Sequence, residues 1–240
     1  MLVAVLLCAL AFIILRFALP AHAFGGVTDL LGITRSGSIA VEPMSQLPEL
    51  PNGCEITSLA VCLRDRGFNV DNTKLAETYL RRVPITVKGT TRYGPDPEDA
   101  YAGDPRSKRD AYYCFTKPIT QAANAYLRDQ GSDLSAHDMS GCSLDDIERR
   151  IDEGVPVMVW TTLDASTPPT HSSVSWTISS SGSAYYPYVN LHCMVVAGYD
   201  EGRRTLTMCN PLDASEPIDY DIDDFTPTFE ALGSRAVAIW

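Results

Sequence analysis

PELPNGCEITSLAVCLRDRG, residues 48–67, places a cysteine at the mouth of an amphipathic helix, directly after a Pro-Asn-Gly turn. Ile56, Leu59, Ala60 and Leu63 fall at the spacing of one helical face, and Gly67 supplies the C-terminal stop. With Asn52 as N-cap and Glu55 completing a capping box, Cys54 faces the positive end of the helix dipole. That position predicts a thiol of lowered pKa, and Gly53, without a side chain, is expected to leave the sulfur open to approach.

Working outward, a second helix is expected from Thr73 to about Arg81 behind an Asp71-Asn72 cap. Residues 84–113, rich in Gly, Pro, Asp and Tyr, read as a long surface loop. Pro118, Ile119, Ala122, Ala123 and Tyr126 then mark a helix that stops before Gly131. Ser143 caps another, with Asp146 in its first turn and Gly154 closing it. VPVMVWT, residues 155–161, is too short for a helix and β-branched enough for a buried strand, and residues 164–188 read as a loop or irregular hairpin. The last third is strand-like. LHCMVVAGYD and RTLTMCNP flank an Asp200-Glu201-Gly202 turn that pairs them antiparallel, and RAVAIW ends the chain. Helices first and strands last describe an α+β fold, with an N-terminal helical lobe that carries the cysteine packed against a C-terminal antiparallel sheet.

A nucleophilic thiol needs a base. Outside the leader the histidines are His137, His171 and His192, and only His192 stands on a strand, a rigid mount. Folding its hairpin about residues 200–202 returns Asn210 beside it, where an amide orients the imidazole. For a tetrahedral oxyanion the first donor is the Cys54 backbone N–H and the second an upstream side-chain amide, assigned to Gln46, with Asn52 as its rival.

LPNGCEITSLAVCLRDRG resembles the signature of the C39-like group of papain-superfamily cysteine peptidases, and YCFTKPITQAANAYL, GVPVMVW and HCMVVAGYD followed by Asn210-Pro211 resemble later pieces of the same group. The resemblance spans roughly residues 44–212 and implies a papain-like fold with Cys54 as nucleophile, His192 as general base and acid, and position 210 as orienter. Members often carry Asp there, so Asn210 is a departure. A Gln in the region of Gln46 also fits the group. No G-x-x-x-x-G-K-[ST] motif is present, so the exporter-fused leader peptidases are a poor match and a stand-alone exported member is expected. The expected activity is hydrolysis of a peptide or amide bond through an acyl-enzyme. The alternatives are an inactive papain-like peptide-binding module and a transglutaminase-like acyl transferase.

Composition narrows the partners. The 240 residues carry 19 Lys and Arg against 30 Asp and Glu, a formal charge of −11. Such a field repels phosphate backbones and anionic lipids, so the expected partner is a peptide or protein substrate met by a monomer, not nucleic acid. MLVAVLLCALAFIILRFALPAHA, residues 1–23, ends on an A-x-A signature and reads as a signal peptide or, uncleaved, as an anchor that is the chain's one tie to a membrane. Residues 24–43 read as an extended lead-in to a peptidase domain over 44–240, secreted or in the cell envelope. No Cys/His cluster has zinc spacing, and DYDIDDF, residues 219–225, lacks the EF-hand glycine, so it reads as a solvated acidic turn; no metal or cofactor is expected. Cys193 and Cys209 should share the face opposite His192 and Asn210, side by side across the ladder, either bridged or packed as small apolar residues. Cys114 and Cys142 are the other candidate pair in an oxidising compartment, and Cys62, on the nucleophile's helix, reads as buried and free.

Overall fold

The computed structural model describes residues 34–240; the leader, and the first part of the lead-in, lie outside the described residues. Its centre is an antiparallel sheet ordered β12-β11-β10-β7-β13-β6, with β1 added alongside β10. The strands are β1 (Ser36–Ser38), β6 (Ala136–Asp138), β7 (Val157–Thr162), β10 (Leu191–Asp200), β11 (Thr205–Asn210), β12 (Asp213–Asp221) and β13 (Ala236–Ile239). Five helices cover it: α1 (Cys54–Asp65), α2 (Asn72–Thr78), α3 (Thr116–Asp129), α4 (Leu144–Asp152) and α5 (Ile222–Ala231).

Strand alternation divides the core into two layers. Met158, Trp160, Cys193, Val195 and Val237 face α1 and α3, whereas Val157, Val159, Met194, Val196 and Ala238 face α4 and α5. This explains why β7 is buried along its whole length and reads in sequence as an unbroken apolar run. A bulge between Val196 and Gly198 shifts the register of β10 and turns Tyr199 to the α4 side, where its hydroxyl donates to Asp152 at 2.9 Å.

The helices follow their local signals. Asp71 caps α2 by accepting from Thr73 and Lys74, so that helix starts where expected and ends three residues sooner. Ser143 and Asp146 form a reciprocal capping box at α4. The expected division into a helical lobe and a sheet is met by α1 to α3, but α4 and α5 occupy the opposite face, so the sheet lies between two helical layers.

Three readings are corrected. DYDIDDF is no free acidic turn: it runs from the end of β12 into α5, with Asp221 accepting from the backbone of Asp223 and Asp224 at the helix N-terminus. Residues 84–113 are not a free loop, and for 164–188 the hairpin reading holds, since Trp176 pairs antiparallel with Tyr185. The two segments contribute β3 (Thr86–Lys88), β4 (Thr91–Gly94), β8 (Trp176–Ile178) and β9 (Ala184–Tyr185) to one small sheet, in which β4 and β8 run parallel, while β2 (Arg82–Val83) pairs with β5 (Tyr101–Ala102). Tyr113 and Tyr185 join the two segments hydroxyl to hydroxyl at 2.9 Å. Finally, all six cysteines of the described residues are free. Cys193 and Cys209 do share the α1-side core, but Cys209 stands opposite Val195, which offsets the two thiols along the ladder. Cys114 lies in the α1-side core and Cys142 packs against the other, so the sheet separates them; Cys62 is buried and free as read.

Candidate active site

Cys54 is the first residue of α1, and its N-cap is Gly53 rather than Asn52. Asn52 is turned away from the helix end, donating its side-chain amide to the Ser107 carbonyl at 2.7 Å while its own carbonyl accepts from the Tyr101 hydroxyl at 2.6 Å. The expected cap is therefore replaced by a tie to the 101–107 segment. Gly53 has a different purpose from the one expected as well. A Cβ there would lie 2.6 Å from Leu50 Cβ, so the missing side chain makes room for Leu50 of the preceding turn, not for a substrate.

Glu55 does not complete a capping box. It is 1% exposed, takes the Cys114 backbone N–H on Oε1 at 3.1 Å and receives the Cys54 thiol on Oε2 at 3.4 Å. The Cys114 peptide is held from its other side by Trp160 Nε1, which donates to its carbonyl at 2.9 Å. Burial raises the Glu55 carboxyl to about 7. Burial, and then the Glu55 charge, push the Cys54 thiol well above its ordinary value, with the Cys193 backbone N–H working in the opposite direction. The expected lowered pKa is thus corrected: desolvation outweighs the helix terminus, because Cys54 is only 7% exposed.

His192 is the second residue of β10 and is buried. Its Nε2 lies 2.8 Å from Asn210 Oδ1, diagonally across the hairpin, since Val195 is the residue opposite Cys209. The backbone N–H of Leu212 also donates to Asn210 Oδ1, at 3.0 Å, and Asn210 Nδ2 donates to the Tyr220 hydroxyl at 3.2 Å. Because Leu212 N–H can only donate, the atom it meets must be the amide oxygen. That assigns the amide, and the oxygen in turn requires a proton on His192 Nε2, leaving Nδ1 as the basic nitrogen of the neutral ring. Burial lowers the imidazole to about 4 despite the Asn210 bond. Among the described residues no hydrogen bond joins His192 to Cys54; the thiol rests on Glu55. Such contacts are often long before substrate binds. The residue after His192 nevertheless lies beside Cys54, since it supplies the amide near the sulfur and its carbonyl accepts from Ser58 on α1 at 3.2 Å.

Gln46 is drawn into the same corner. Its backbone N–H donates to the carbonyl of Pro211, the neighbour of Asn210, at 3.0 Å. Its buried side chain donates Nε2 to the Pro51 carbonyl at 2.9 Å, three residues before Cys54, and Oε1 has no partner. The Pro51 acceptor assigns that amide too, and one of the two Nε2 hydrogens remains uncommitted. The other histidines are elsewhere: His137 stacks on Trp240, and His171 stacks on Tyr188 with Nδ1 2.7 Å from the Tyr186 carbonyl. Among the described residues no group of His, Cys, Asp and Glu has the arrangement of a metal site.

Sequence reasoning missed Tyr220 and Trp160, which act only through tertiary contact, and misplaced Glu55. An acid inside the buried, otherwise uncharged run from Cys54 to Leu63 was the signal that could have exposed it.

A helix with a cysteine at its N-terminus packed on an antiparallel sheet, with an imidazole and an amide at the sheet's end, fits a papain-like cysteine peptidase fold. The chain belongs to the Peptidase_C39 like family, whose model matches residues 38–237. A Bacillus anthracis protein assigned to the C39-like peptidases superposes with a TM-score of 0.72 at 25% identity, covering 86% of this chain and 98% of that one. The uncharacterized protein YvpB of Bacillus subtilis (strain 168) is 29% identical over 216 residues, 88% of this chain and 78% of its own length.

Proposed function

We propose that the protein is a thiol hydrolase that cleaves a peptide or amide bond through a Cys54, His192 and Asn210 triad. Cys54 Sγ transfers its proton to His192 Nδ1 and attacks the carbonyl carbon. The carbonyl π pair moves onto oxygen, which the Cys54 backbone N–H and the free hydrogen of Gln46 Nε2 receive. Collapse expels the amine, which takes the proton from His192. Water, deprotonated by the same imidazole, then hydrolyses the thioester and restores the thiol. Asn210 keeps Nε2 protonated throughout, so that Nδ1 alone shuttles the proton.

The observation that carries this reading is the Leu212 to Asn210 to His192 chain, which assigns the imidazole tautomer without reference to any substrate. The test is hydrolysis of an unfolded protein and of a peptide library by the wild type, Cys54→Ala and His192→Ala, with products read by mass spectrometry. New termini made by the wild type and lost in both variants support the reading. Cleavage that survives in Cys54→Ala, or its absence from the wild type, overturns it.

A further inference from the structure

Among the described residues Glu55 is the one buried acid that touches the proposed nucleophile, and the mechanism above leaves it without a task. Its surroundings are unusual. The titratable groups coupled to it are Cys54 on its own helix, Tyr101 of β5, Tyr113 and Cys114 of the segment before α3, and Cys193 of β10. All are acids, and none is a cation that would hold Glu55 ionised. Both carboxyl oxygens are engaged by donors, one from the Cys114 backbone and one from the Cys54 thiol, so the group is fixed in place.

An ionised Glu55 can only accept from Cys54. In that form it takes the thiol proton at 3.4 Å and opposes a second negative charge on sulfur. A neutral Glu55 still accepts from Cys114 on Oε1, and its own O–H is free to donate to a thiolate. We propose that Glu55 is a fourth catalytic residue, which in its neutral form donates a hydrogen bond to the Cys54 thiolate and in its ionised form locks Cys54 as an unreactive thiol. On activation the S–H bond breaks and an N–H bond forms at His192 Nδ1. Glu55 keeps its own proton and changes from acceptor to donor. The inference rests on Cys54 and His192 acting as assigned above. A carboxyl raised to about 7 places the change within the working range of an enzyme at neutral pH.

The test is the iodoacetamide alkylation rate of Cys54, located by peptide mapping, between pH 6 and 8 in the wild type and in Glu55→Gln. Glutamine keeps an oxygen for Cys114 and presents an N–H donor to sulfur at every pH. The wild-type rate is expected to fall about tenfold across this interval as Glu55 ionises, and the glutamine variant to stay level and react about tenfold faster at pH 8. A rate that rises with pH in the wild type, as for an ordinary thiol, or the same profile in both proteins, overturns the proposal. If Glu55→Gln does not fold, the thiolate absorbance of the wild type minus that of Cys54→Ser decides it over the same interval: a falling signal supports the lock and a rising one overturns it. Neither readout requires turnover. The expected profile in a protein that cleaves no peptide therefore upholds Glu55's role while removing the hydrolase reading.

Discussion

Asn210 Oδ1 stands 2.8 Å from His192 Nε2 and is simultaneously held by the Leu212 backbone N–H, so the side chain that orients the imidazole is itself oriented by the main chain. Burial leaves the ring neutral and poorly basic, at about 4, and the Asn210 bond offsets it only in part. A carboxylate would favour the imidazolium. Asn210→Asp is therefore expected to remain active and to raise the His192 pKa by at least a unit, whereas Asn210→Ala should lower turnover by about 10²-fold, through loss of the preferred tautomer. Imidazole titration by NMR, with kcat/KM measured across pH, checks both.

Gln46→Ala should lose roughly 10² to 10³ in turnover, the cost of one oxyanion donor, while keeping the pH profile of Cys54 alkylation. It also removes the hydrogen bond to the Pro51 carbonyl, so a loss of about 1 kcal/mol in stability is expected with it. Unchanged kcat together with a lowered melting temperature would confine Gln46 to a structural part.

His192 and Glu55, two buried groups of the site, predict opposite slopes of stability against pH. The His192 imidazole is lowered from 6.5 to about 4, so the native state binds its proton more weakly than the unfolded chain does. Its contribution is fully present above pH 6.5 and is lost as the pH falls through 4. The Glu55 carboxyl is raised from 4.5 to about 7, so its contribution is fully present below 4.5 and is lost as the pH rises through 7. Urea unfolding should show Glu55→Gln gaining stability over the wild type between pH 5 and 8, by on the order of a few kcal/mol, with no such gain at pH 4.

Gly53→Ala is expected to destabilise the protein by about 1 to 3 kcal/mol, because the added Cβ meets Leu50 Cβ at 2.6 Å in the turn that leads into Cys54. Leu50→Ala alone leaves a cavity and costs about 2 to 5 kcal/mol. Alanine at position 50 keeps the Cβ that clashes, so the double variant should be destabilised by about the sum of the two single costs. Thermal unfolding of the three proteins checks this, and a double variant markedly more stable than that sum would place the clash on the outer atoms of Leu50.

Much of the molecule was legible from local patterns. The helical face from Ile56 to Leu63, the Ser143 and Asp146 capping box, the apolar run of β7 and the turn at residues 200–202 are encoded within a few residues of one another, where periodicity and backbone preference suffice. From those elements the sequence by itself also put His192 beside Asn210, because a hairpin that returns on itself places its two ends together whatever surrounds it. What only the tertiary structure decided is the environment of those groups. Residues 84–113 look like a loop because their short strands carry little periodicity, and only the tertiary structure joins their β3–β4 hairpin to the β8–β9 hairpin of 164–188 through the parallel β4–β8 pair. The acidic run at 219–225 keeps its four aspartates exposed, as read, but only the fold shows Asp221 capping α5. Helix position alone predicted a reactive, depressed thiol at Cys54. Folding buried it against Glu55 and reversed the direction of the shift, because a proton's affinity depends on charges and solvent brought in by segments distant in sequence, here the Cys114 peptide and β10, which no local spacing records.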